Sequence, residues 1–405
     1  MKNSEPESPN LCSAFTAAVS AGRDDGSILA HHLVEDAIAA RATDIHIDPQ
    51  QDRFLIRFRI DGRLHDAADI PRPEGEALTR SIRVDAEIDP ATRPDRLEGT
   101  AHLGPRDSSA RVAFASTVKG PKLSLRLLEA ARVEHEIGNL GMEEPDEKAL
   151  LEWASQAQGM VLCVGPTGCG KTTTCYALLR EMLKRKGNLI TLEDPVEFVV
   201  DGLTQVQLDA KDPSRPDTFA KGIRSILRHD PDAVFMGEIR DEPAAHAAID
   251  ASFSGHVLLS TMHARDPAGA ATLLRSMGVK SYEIAASLRM VVGQRLVRLL
   301  CPDCREERPP TELEAEAAKE FGVELEASFE GKGCPACSGT GYRDRSAVFE
   351  RWELTDDDYA ALMKGQDENR LRAALRDRGV PSLAAAALQR ARRGDTSVKE
   401  ALRVR

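Results

Sequence analysis

The 405-residue sequence has few aromatic residues and no long apolar run. Phe, Trp and Tyr account for 4% of the residues, so the cores must be built mainly from Leu, Ile, Val and Ala. No apolar stretch is long enough to cross a bilayer, and the N-terminus (MKNSEPESPN) lacks the charged and apolar regions of a signal peptide. These absences predict a cytoplasmic protein whose contacts with membranes are peripheral.

A net positive charge is also absent. The formal net charge is −11, which disfavours general binding to nucleic acid or anionic membranes without excluding a local basic patch. A chain of 405 residues with 41% hydrophobic residues is expected to form two or three domains. Four of the eight cysteines lie in two Cys-x-x-Cys pairs. In a reducing cytosol this pairing indicates a metal site rather than disulfides.

Composition and periodicity divide the chain. We interpret residues 1–27, which are rich in Ser, Glu, Asp and Gly, as a flexible tail. Residues 28–130 combine helical spacing with alternating apolar residues and predict a small α+β domain. Residues 131–147 are charged, contain Gly and Pro, and predict a linker. Residues 148–405 alternate short apolar strands with helices, which is typical of an α/β domain with a largely parallel sheet.

Smaller elements are predicted inside these domains. Asp61-Gly62 indicates a hairpin turn after an alternating strand. The cysteine-bearing segment is predicted to form a subdomain over 298–345, and the Ala-, Leu- and Arg-rich segment 350–405 is predicted to be helical. The apolar runs that predict parallel strands are Met160–Val164, Leu189–Leu192, Ala233–Met236 and His256–Ser260.

The most specific motif is GPTGCGKT at residues 165–172, which matches the Walker A pattern in full. A predicted strand precedes it and a predicted helix follows, a context that a chance Gly-rich turn would lack. Its glycines let the backbone wrap around phosphate oxygens at a helix N-terminus. We expect Lys171 to reach the β- and γ-phosphates of ATP and the Thr172 hydroxyl to ligate Mg²⁺. The predicted nucleotide-binding residues are Gly165, Pro166, Thr167, Gly168, Cys169, Gly170, Lys171, Thr172 and Thr173.

Ionisable side chains follow three other predicted strands. Glu238, after Ala233–Met236, fits a Walker B element that holds Mg²⁺ through water or positions the attacking water, although a solvated strand end would look the same. Glu193 is a candidate for orienting or deprotonating that water, the alternative being an ordinary acidic turn before proline. His263 is either a structural histidine or a contact to the γ-phosphate. With Lys171, these residues are the candidate catalytic set.

Two Cys-x-x-Cys turns predict a metal site. Cys301 and Cys304 form one turn, and Cys334 and Cys337 form the other. Four thiolates suit a tetrahedral structural Zn²⁺ and leave no position open for catalysis. The alternative is four reduced thiols without metal. The stretch between the turns is long, which predicts a small helical insertion.

The order of the motifs resembles the secretion ATPase superfamily of type II secretion and type IV pilus assembly. The Walker A motif is followed by LEDPVE at 192–197, by the run 219–241, and by STMH at 260–263, in the positions of the family's Asp box, Walker B and His box. Segments 42–48 and 58–62 of the first domain also agree. The resemblance implies a RecA-like P-loop ATPase domain with a zinc-binding insertion, preceded by a smaller PAS-like α+β domain.

The resemblance also implies a homohexamer with ATP bound near a neighbouring subunit. Arginines then neutralise charge on the transferred phosphoryl group. By position, Arg111 and Arg126 match two family arginines that reach the nucleotide, and Arg224, Arg228 and Arg240 match others in the motor domain. Each of these arginines is otherwise a solvated surface residue. The sequence after Arg111 departs from the family pattern.

As a family member, the chain is expected to power pseudopilus or pilus assembly and protein secretion. Its expected partners are an inner-membrane platform protein and a cytoplasmic membrane-anchoring protein, with no nucleic acid. The family often has a further N-terminal docking domain; about 28 residues precede the first domain here, so recruitment is expected to differ or to use a separate chain. Alternatives are a competence or pilus-retraction ATPase, a nucleic-acid translocase, and a zinc-dependent chaperone with degenerate hydrolysis.

Overall fold

The computed structural model describes residues 11–22, 25–88, 98–103, 109–128, 136–155, 158–185, 187–209, 212 and 214–404. The start of the predicted tail (1–10) and of the predicted linker (131–135) lies outside these ranges. The chain forms two compact units. Unit 1 comprises Met1–Ala131 and Gly333–Arg343, and unit 2 comprises Arg132–Lys332 and Asp344–Arg405. Within the described ranges, no helix has both the length and the apolar character needed to span a membrane.

Unit 1 is an α+β arrangement around a six-stranded sheet. The sheet has the strand order β3-β2-β1-β6-β5-β4, and the neighbouring strands are antiparallel. Its elements are α1 (Ser13–Ser20), α2 (Gly26–Ala39), β1 (Ala42–Pro49), β2 (Arg53–Ile60), β3 (Arg63–Pro71), α3 (Arg72–Asp85), β4 (Glu98–His102), β5 (Ser109–Thr117) and β6 (Gly120–Leu128).

Alternating side chains build the core of unit 1. In β2, Phe54, Ile56 and Phe58 are buried, whereas the residues between them are half-exposed. This period of two turns one face of the sheet towards α1, α2 and α3, whose apolar residues join the same cluster. Asp61 and Gly62 have φ values of 47° and 81°, as a type I′ turn requires at both central positions. The predicted hairpin is confirmed.

Helix α1 lies inside the segment predicted to be a flexible tail, residues 1–27. Cys12, Phe15 and Ala18 are buried in the core of unit 1. Because these residues are spaced by three, they share one face of the helix. The Ser- and Glu-rich composition around them conceals this short apolar stripe. The prediction of a flexible tail is therefore wrong for α1.

Unit 2 contains the larger, parallel sheet. The strands after unit 1's sheet are β7 (Gly159–Val164), β8 (Leu189–Glu193), β9 (Thr204–Gln207), β10 (Ala233–Met236), β11 (Val257–Met262), β12 (Leu288–Leu300), β13 (Arg305–Arg308), β14 (Ser328–Gly331) and β15 (Tyr342–Glu353). Of these, β13 and β14 pair only with each other, in a separate two-stranded antiparallel sheet. The helices of unit 2 are α4 (Glu144–Trp153), α5 (Lys171–Leu183), α6 (Phe219–Ile226), α7 (Glu242–Phe253), α8 (Pro267–Ser276), α9 (Ser281–Ser287), α10 (Glu312–Lys319), α11 (Asp356–Met363), α12 (Glu368–Asp377), α13 (Leu383–Arg392) and α14 (Val398–Ala401).

The parallel sheet has the order β15-β12-β7-β11-β10-β8-β9. The pairs from β12 across to β9 are parallel. Alternate residues of β7 enter two different apolar clusters: Leu162 lies in the cluster with α6 and α7, and Cys163 lies in the cluster with α4 and α5. Helices therefore cover both faces, and the four predicted strands are confirmed to within two residues at each end.

Three strands of this sheet, β9, β12 and β15, were not predicted from the sequence. The cysteine-bearing segment leaves the sheet after β12 and returns to it at β15, which lies beside β12. It is thus inserted between neighbouring strands, and α10 is the helix predicted inside it. Because β15 continues to Glu353, the helices predicted over 350–405 begin only at Asp356.

Glu350 on β15 carries a buried carboxyl group. It is 6% exposed, and its Oε2 accepts a hydrogen bond from the Leu383 N–H at 3.1 Å. Burial is the main cause that raises the pKa of Glu350 to about 7. The charge of Asp266 acts in the same direction, whereas Arg372 and Arg295 oppose it.

This carboxyl group should make folding stability depend on pH. Between its ordinary pKa of 4.5 and about 7, the folded chain keeps a proton that the unfolded chain releases, so stability falls as pH rises through this window. Glu350→Gln keeps an acceptor for Leu383 and carries no charge. It should exceed the wild type in unfolding free energy by about 3 kcal/mol above pH 7, and the difference should vanish towards pH 4. Urea unfolding at several pH values measures this.

Glu353→Gln is the matched control, because Glu353 ends the same strand with 57% of its side chain exposed. Its unfolding free energy should stay within about 0.5 kcal/mol of the wild type at each pH. A constant difference between Glu350→Gln and the wild type across the pH range would contradict the assignment.

Candidate functional site

The predicted phosphate loop connects β7 to α5. Gly165, Gly168 and Gly170 have φ values of 155°, 75° and 88°, a range that favours glycine. A Cβ atom on Gly165 would lie 2.5 Å from the Gln294 carbonyl oxygen, and one on Gly170 would lie 2.8 Å from Gln294 Nε2. The close approach of the β12 backbone therefore excludes a Cβ at Gly165, whereas at Gly170 the left-handed backbone conformation favours glycine.

Lys171 begins α5 and lies over the loop. Its Nζ donates to the carbonyl oxygens of Gly165 at 2.9 Å and Pro166 at 3.0 Å. The side chain is buried, and burial is the main cause that lowers the pKa of Lys171. Thr172 and Thr173 lie half-buried in the same first helical turn. This start of a helix combines N–H groups, a favourable dipole and an ammonium group, which together suit a phosphate anion.

Glu238, at the end of β10, lies in a group of charged side chains. His263 Nε2 is 3.3 Å from Glu238 Oε2, and the Arg240 guanidinium forms an ion pair with the same carboxylate. Arg240 Nη1 also donates to Asp194 Oδ2 at 3.2 Å. We call these four residues the Glu238 group. Three of them were predicted site residues, and the structure brings them together.

The surroundings of His263 disfavour the protonated form of its ring. Burial is the largest cause that lowers the pKa of His263, and the positive charges of Lys171 and Arg240 lower it further. A hydrogen bond with the Gly165 backbone acts in the opposite direction. His263 thus links the Glu238 group to the start of the phosphate loop.

Glu193 is buried, with 3% of its surface exposed. Its carboxylate accepts hydrogen bonds from Tyr176 at 2.5 Å, Thr191 at 2.6 Å and Gln205 at 3.3 Å. Burial raises the pKa of Glu193, and these hydrogen bonds lower it. Within the described part of the chain, none of its hydrogen-bond partners belongs to the Glu238 group. The structure therefore places Glu193 in a separate buried network beneath α5.

The parallel sheet explains why the loop and the Glu238 group meet. Met262 lies opposite Val164, so β11 and β7 end at the same level, and His263 emerges beside the loop. Met236 lies opposite Leu192, so β10 and β8 also end together. Because all these strands run in one direction, the residues that follow them share one edge of the sheet, where ligands bind in open α/β sheets.

The remaining predicted arginines have different surroundings. Arg111 and Arg126 lie in unit 1 as direct cross-strand neighbours on β5 and β6. Arg126 Nε donates to Asp44 Oδ1 at 3.1 Å. Arg224 on α6 and Arg228 just after it are exposed. The structure does not bring these two into the Glu238 group.

Gln294 is a site residue that was not predicted from the sequence. It lies on β12, is 2% exposed, and donates through Nε2 to the Cys169 carbonyl oxygen at 2.8 Å. Its Oε1 accepts from the Thr174 hydroxyl at 2.9 Å. The available signal was an amide side chain that directly follows the apolar run MVVG at residues 290–293. A buried amide needs partners, but the sequence does not reveal which groups supply them.

The four cysteines of the two Cys-x-x-Cys turns are brought together. The sulfur atoms of Cys301, Cys304, Cys334 and Cys337 all lie within 4.8 Å of one another. The Cys334 and Cys337 sulfurs are 3.8 Å apart, the spacing of about 3.8 Å that tetrahedral coordination with Zn–S bonds of about 2.3 Å requires. The N–H groups of Cys334 and Gly341 donate to the Cys337 sulfur at 3.2 Å each. The cluster is compatible with zinc.

Comparisons with known proteins agree with this geometry. The family described as Type II/IV secretion system protein matches residues 23–403. Type II secretion system protein E of Aeromonas hydrophila is 37% identical over 388 residues, covering 94% of this chain and 76% of that protein. Type II secretion system ATPase E of Vibrio cholerae serotype O1 is 36% identical over 393 residues, with the same two coverages.

A solved structure shows the same α/β fold. The ATPase DotB of Legionella pneumophila superposes with a TM-score of 0.68 at 18% sequence identity, covering 93% of this chain and 95% of that one. At this identity the likeness concerns the fold alone. The family match extends over nearly the whole chain, and the relatives are more than one-third identical to it. The chain therefore belongs to the Type II/IV secretion system protein family and is one of its ATPases, of the kind that powers secretion or pilus assembly.

Proposed function

We propose that this ATPase is a homohexameric motor whose cycle of ATP binding and hydrolysis drives the assembly of pilus-like fibres for secretion. The observation that carries the proposal is the meeting of the phosphate loop with the Glu238 group at one edge of the parallel sheet. A binding module with degenerate hydrolysis would not need acidic and histidine side chains at the site of the γ-phosphate.

The role proposed for each site residue follows from the contacts that its side chain makes. The loop N–H groups and Lys171 bind the phosphates, and the Thr172 hydroxyl ligates Mg²⁺. Glu238 contacts His263, which reaches the start of the loop, and we assign it the positioning of the attacking water. Arg240, paired with Glu238, neutralises charge that develops on the phosphoryl group. His263 contacts the γ-phosphate, and its contact with Glu238 couples the position of that carboxylate to the presence of the γ-phosphate.

Glu193 is proposed to act indirectly. Its carboxylate is occupied by three donors, so it fixes the end of β8 and the neighbouring Asp194 rather than deprotonating water. A kinetic comparison of Glu193→Gln with Glu238→Gln tests this assignment.

The family resemblance alone supports nucleotide contacts by four arginines, Arg111, Arg126, Arg224 and Arg228. An unchanged KM for ATP in their alanine variants would refute these contacts.

An assay of the purified chain tests the proposed function. It should turn over Mg·ATP, and native mass spectrometry should show a hexamer in the presence of nucleotide. Double-stranded DNA should leave the rate unchanged. A chain that neither binds nor hydrolyses ATP would refute the motor, and strong stimulation by DNA would favour a nucleic-acid translocase.

The proposed partners are an inner-membrane platform protein and a cytoplasmic anchoring protein, as the family resemblance implies. Through them the motor would act at the cytoplasmic face of the inner membrane. Pull-down of the platform protein's cytoplasmic domain by the purified chain tests this. A competence or retraction machine is the alternative within the family, and the identity of the recovered partner distinguishes them.

We propose that the four-cysteine cluster holds one structural Zn²⁺. Purified protein should contain about one zinc ion per chain by elemental analysis, and Cys301→Ser should lose it. The melting temperature should fall on zinc removal, because the ion ties two distant turns of the chain. Cys12→Ser is the control, since Cys12 lies outside the cluster and should leave the zinc content unchanged. Full zinc content in Cys301→Ser would contradict the assignment.

The finer domain description is also a proposal. We infer that residues 28–130 form a PAS-like domain, supported by the antiparallel sheet with helices on one face. Residues 131–147 would then be the linker to a RecA-like ATPase domain over 148–405. An experimental structure of unit 1 with a different strand order would refute the PAS-like assignment.

A further inference from the structure

We propose that Gln294 is a positioning residue that sets the orientation of the phosphate loop. This inference rests on the proposed nucleotide site and adds a residue to it from β12, outside the Walker A, Asp box, Walker B and His box segments.

The Gln294 amide is anchored on both sides of Lys171. Nε2 donates to the carbonyl oxygen of Cys169 at 2.8 Å, in the loop, and Oε1 accepts from the Thr174 hydroxyl at 2.9 Å, in the first turns of α5. Thr174 is fully buried and Gln294 is 2% exposed, so water does not compete for either bond. Because the Cys169 carbonyl oxygen can only accept, it fixes the Nε2 end of the amide towards the loop, and Oε1 faces the Thr174 hydroxyl.

Attachment of the Cys169 carbonyl has a direct consequence for the next N–H. In a trans peptide the C=O and the following N–H point in opposite directions. Because the Cys169 oxygen is held towards β12, the Gly170 N–H is aimed away from β12. Within the described part of the chain, no hydrogen bond from the Gly170 N–H to a protein acceptor is observed. This N–H is thus presented as a donor at the point where the helix begins.

Gln294 also approaches the other end of the loop. Its carbonyl oxygen lies 2.5 Å from the position of a Cβ on Gly165, and it accepts from Arg295 Nη1 at 2.9 Å. β12 pairs with β7 in parallel, with Gly293 opposite Val164. The loop is therefore shaped against β12 at both of its ends. A peptide flip at Cys169–Gly170 would remove a phosphate donor without unfolding anything.

Four variants separate this role from simple packing. Gln294→Met keeps the length but loses both hydrogen bonds, and the Kd for Mg·ADP and the KM for ATP should rise about tenfold with little change in kcat. Gln294→Glu places a carboxylate against the Cys169 oxygen, which favours the flipped peptide and should weaken binding further than Met. Thr174→Val should raise Kd, and Thr174→Ser, which retains the hydroxyl, should restore it to within about twofold.

Thr396→Val is the matched control. Thr396 is fully buried and donates to the β12 backbone at the Arg298 carbonyl oxygen, 2.6 Å away and remote from the loop. It should lower the melting temperature without nucleotide and leave Kd and KM unchanged. The measurements are calorimetric titration with Mg·ADP, steady-state kinetics and thermal melting for each variant.

The outcomes are distinguishable. No nucleotide binding by the wild type would refute the proposed function itself. Binding by the wild type together with unchanged Kd and KM in Gln294→Met would overturn only the role of Gln294, whatever happens to the melting temperature. If Gln294→Met does not fold, Thr174→Val decides: a Kd equal to that of the wild type overturns the inference, and a raised Kd that Thr174→Ser restores supports it.

Discussion

Lys171→Ala should lower kcat/KM for ATP hydrolysis by about 10²- to 10³-fold, the loss typical of removing a preorganised electrostatic contact to the transition state. The Lys171 ammonium lies over the loop, held at the Gly165 and Pro166 carbonyl oxygens. Its charge is already in place and partly withdrawn from water, which strengthens its interaction with a triphosphate. Phosphate release by purified protein at saturating Mg²⁺ measures the effect.

Lys184→Ala provides the matched control for this prediction. Lys184 caps the far end of the same helix, and its side chain is 65% exposed and paired with Glu181. Its removal should leave the hydrolysis rate within about twofold of the wild type, since exposed pairs contribute little. Hydrolysis at the wild-type rate in Lys171→Ala would remove the basis of the nucleotide site.

Glu238→Gln is expected to separate binding from hydrolysis. The amide keeps the shape of the side chain but loses the charge that orients water, so kcat should fall by about 10²- to 10⁴-fold. The Kd for Mg·ATP should stay within a few-fold of the wild type, because the phosphates are held by the loop and Lys171. Calorimetric titration with a slowly hydrolysed ATP analogue, beside a turnover assay, measures both quantities.

Two further variants sharpen the interpretation of Glu238→Gln. Glu242→Gln, at an exposed carboxylate at the start of α7, should behave as the wild type. Glu193→Gln should lose less activity than Glu238→Gln and should lower the melting temperature, because Tyr176 and Gln205 donate to different oxygens of the carboxylate and an amide keeps only one of them. If Glu193→Gln were instead the slower enzyme with unchanged stability, the roles proposed for the two glutamates would have to be exchanged.

Most sequence predictions were correct where the residues that determine the feature lie within a few positions of one another in the chain. The strand before the loop, the hairpin at Asp61-Gly62 and the spacing of the cysteine turns depend on neighbours within a few positions, and the structure contains all three. Helix α1 was not predicted because its apolar stripe is short and the surrounding residues are mostly polar. β12 and β15 were missed because an inserted segment separates two strands that are neighbours in the sheet.

By itself, the sequence determined the chemistry of the loop and its place between a strand and a helix. These depend on glycine conformation, on one lysine and on local periodicity, all of which are properties of adjacent residues. Only the tertiary structure decided that Glu193 is buried in a hydrogen-bonded network, that Glu238 meets His263, and that Gln294 holds a carbonyl oxygen 125 positions away. Such contacts arise from the order of strands in the sheet, which no local pattern in the sequence encodes.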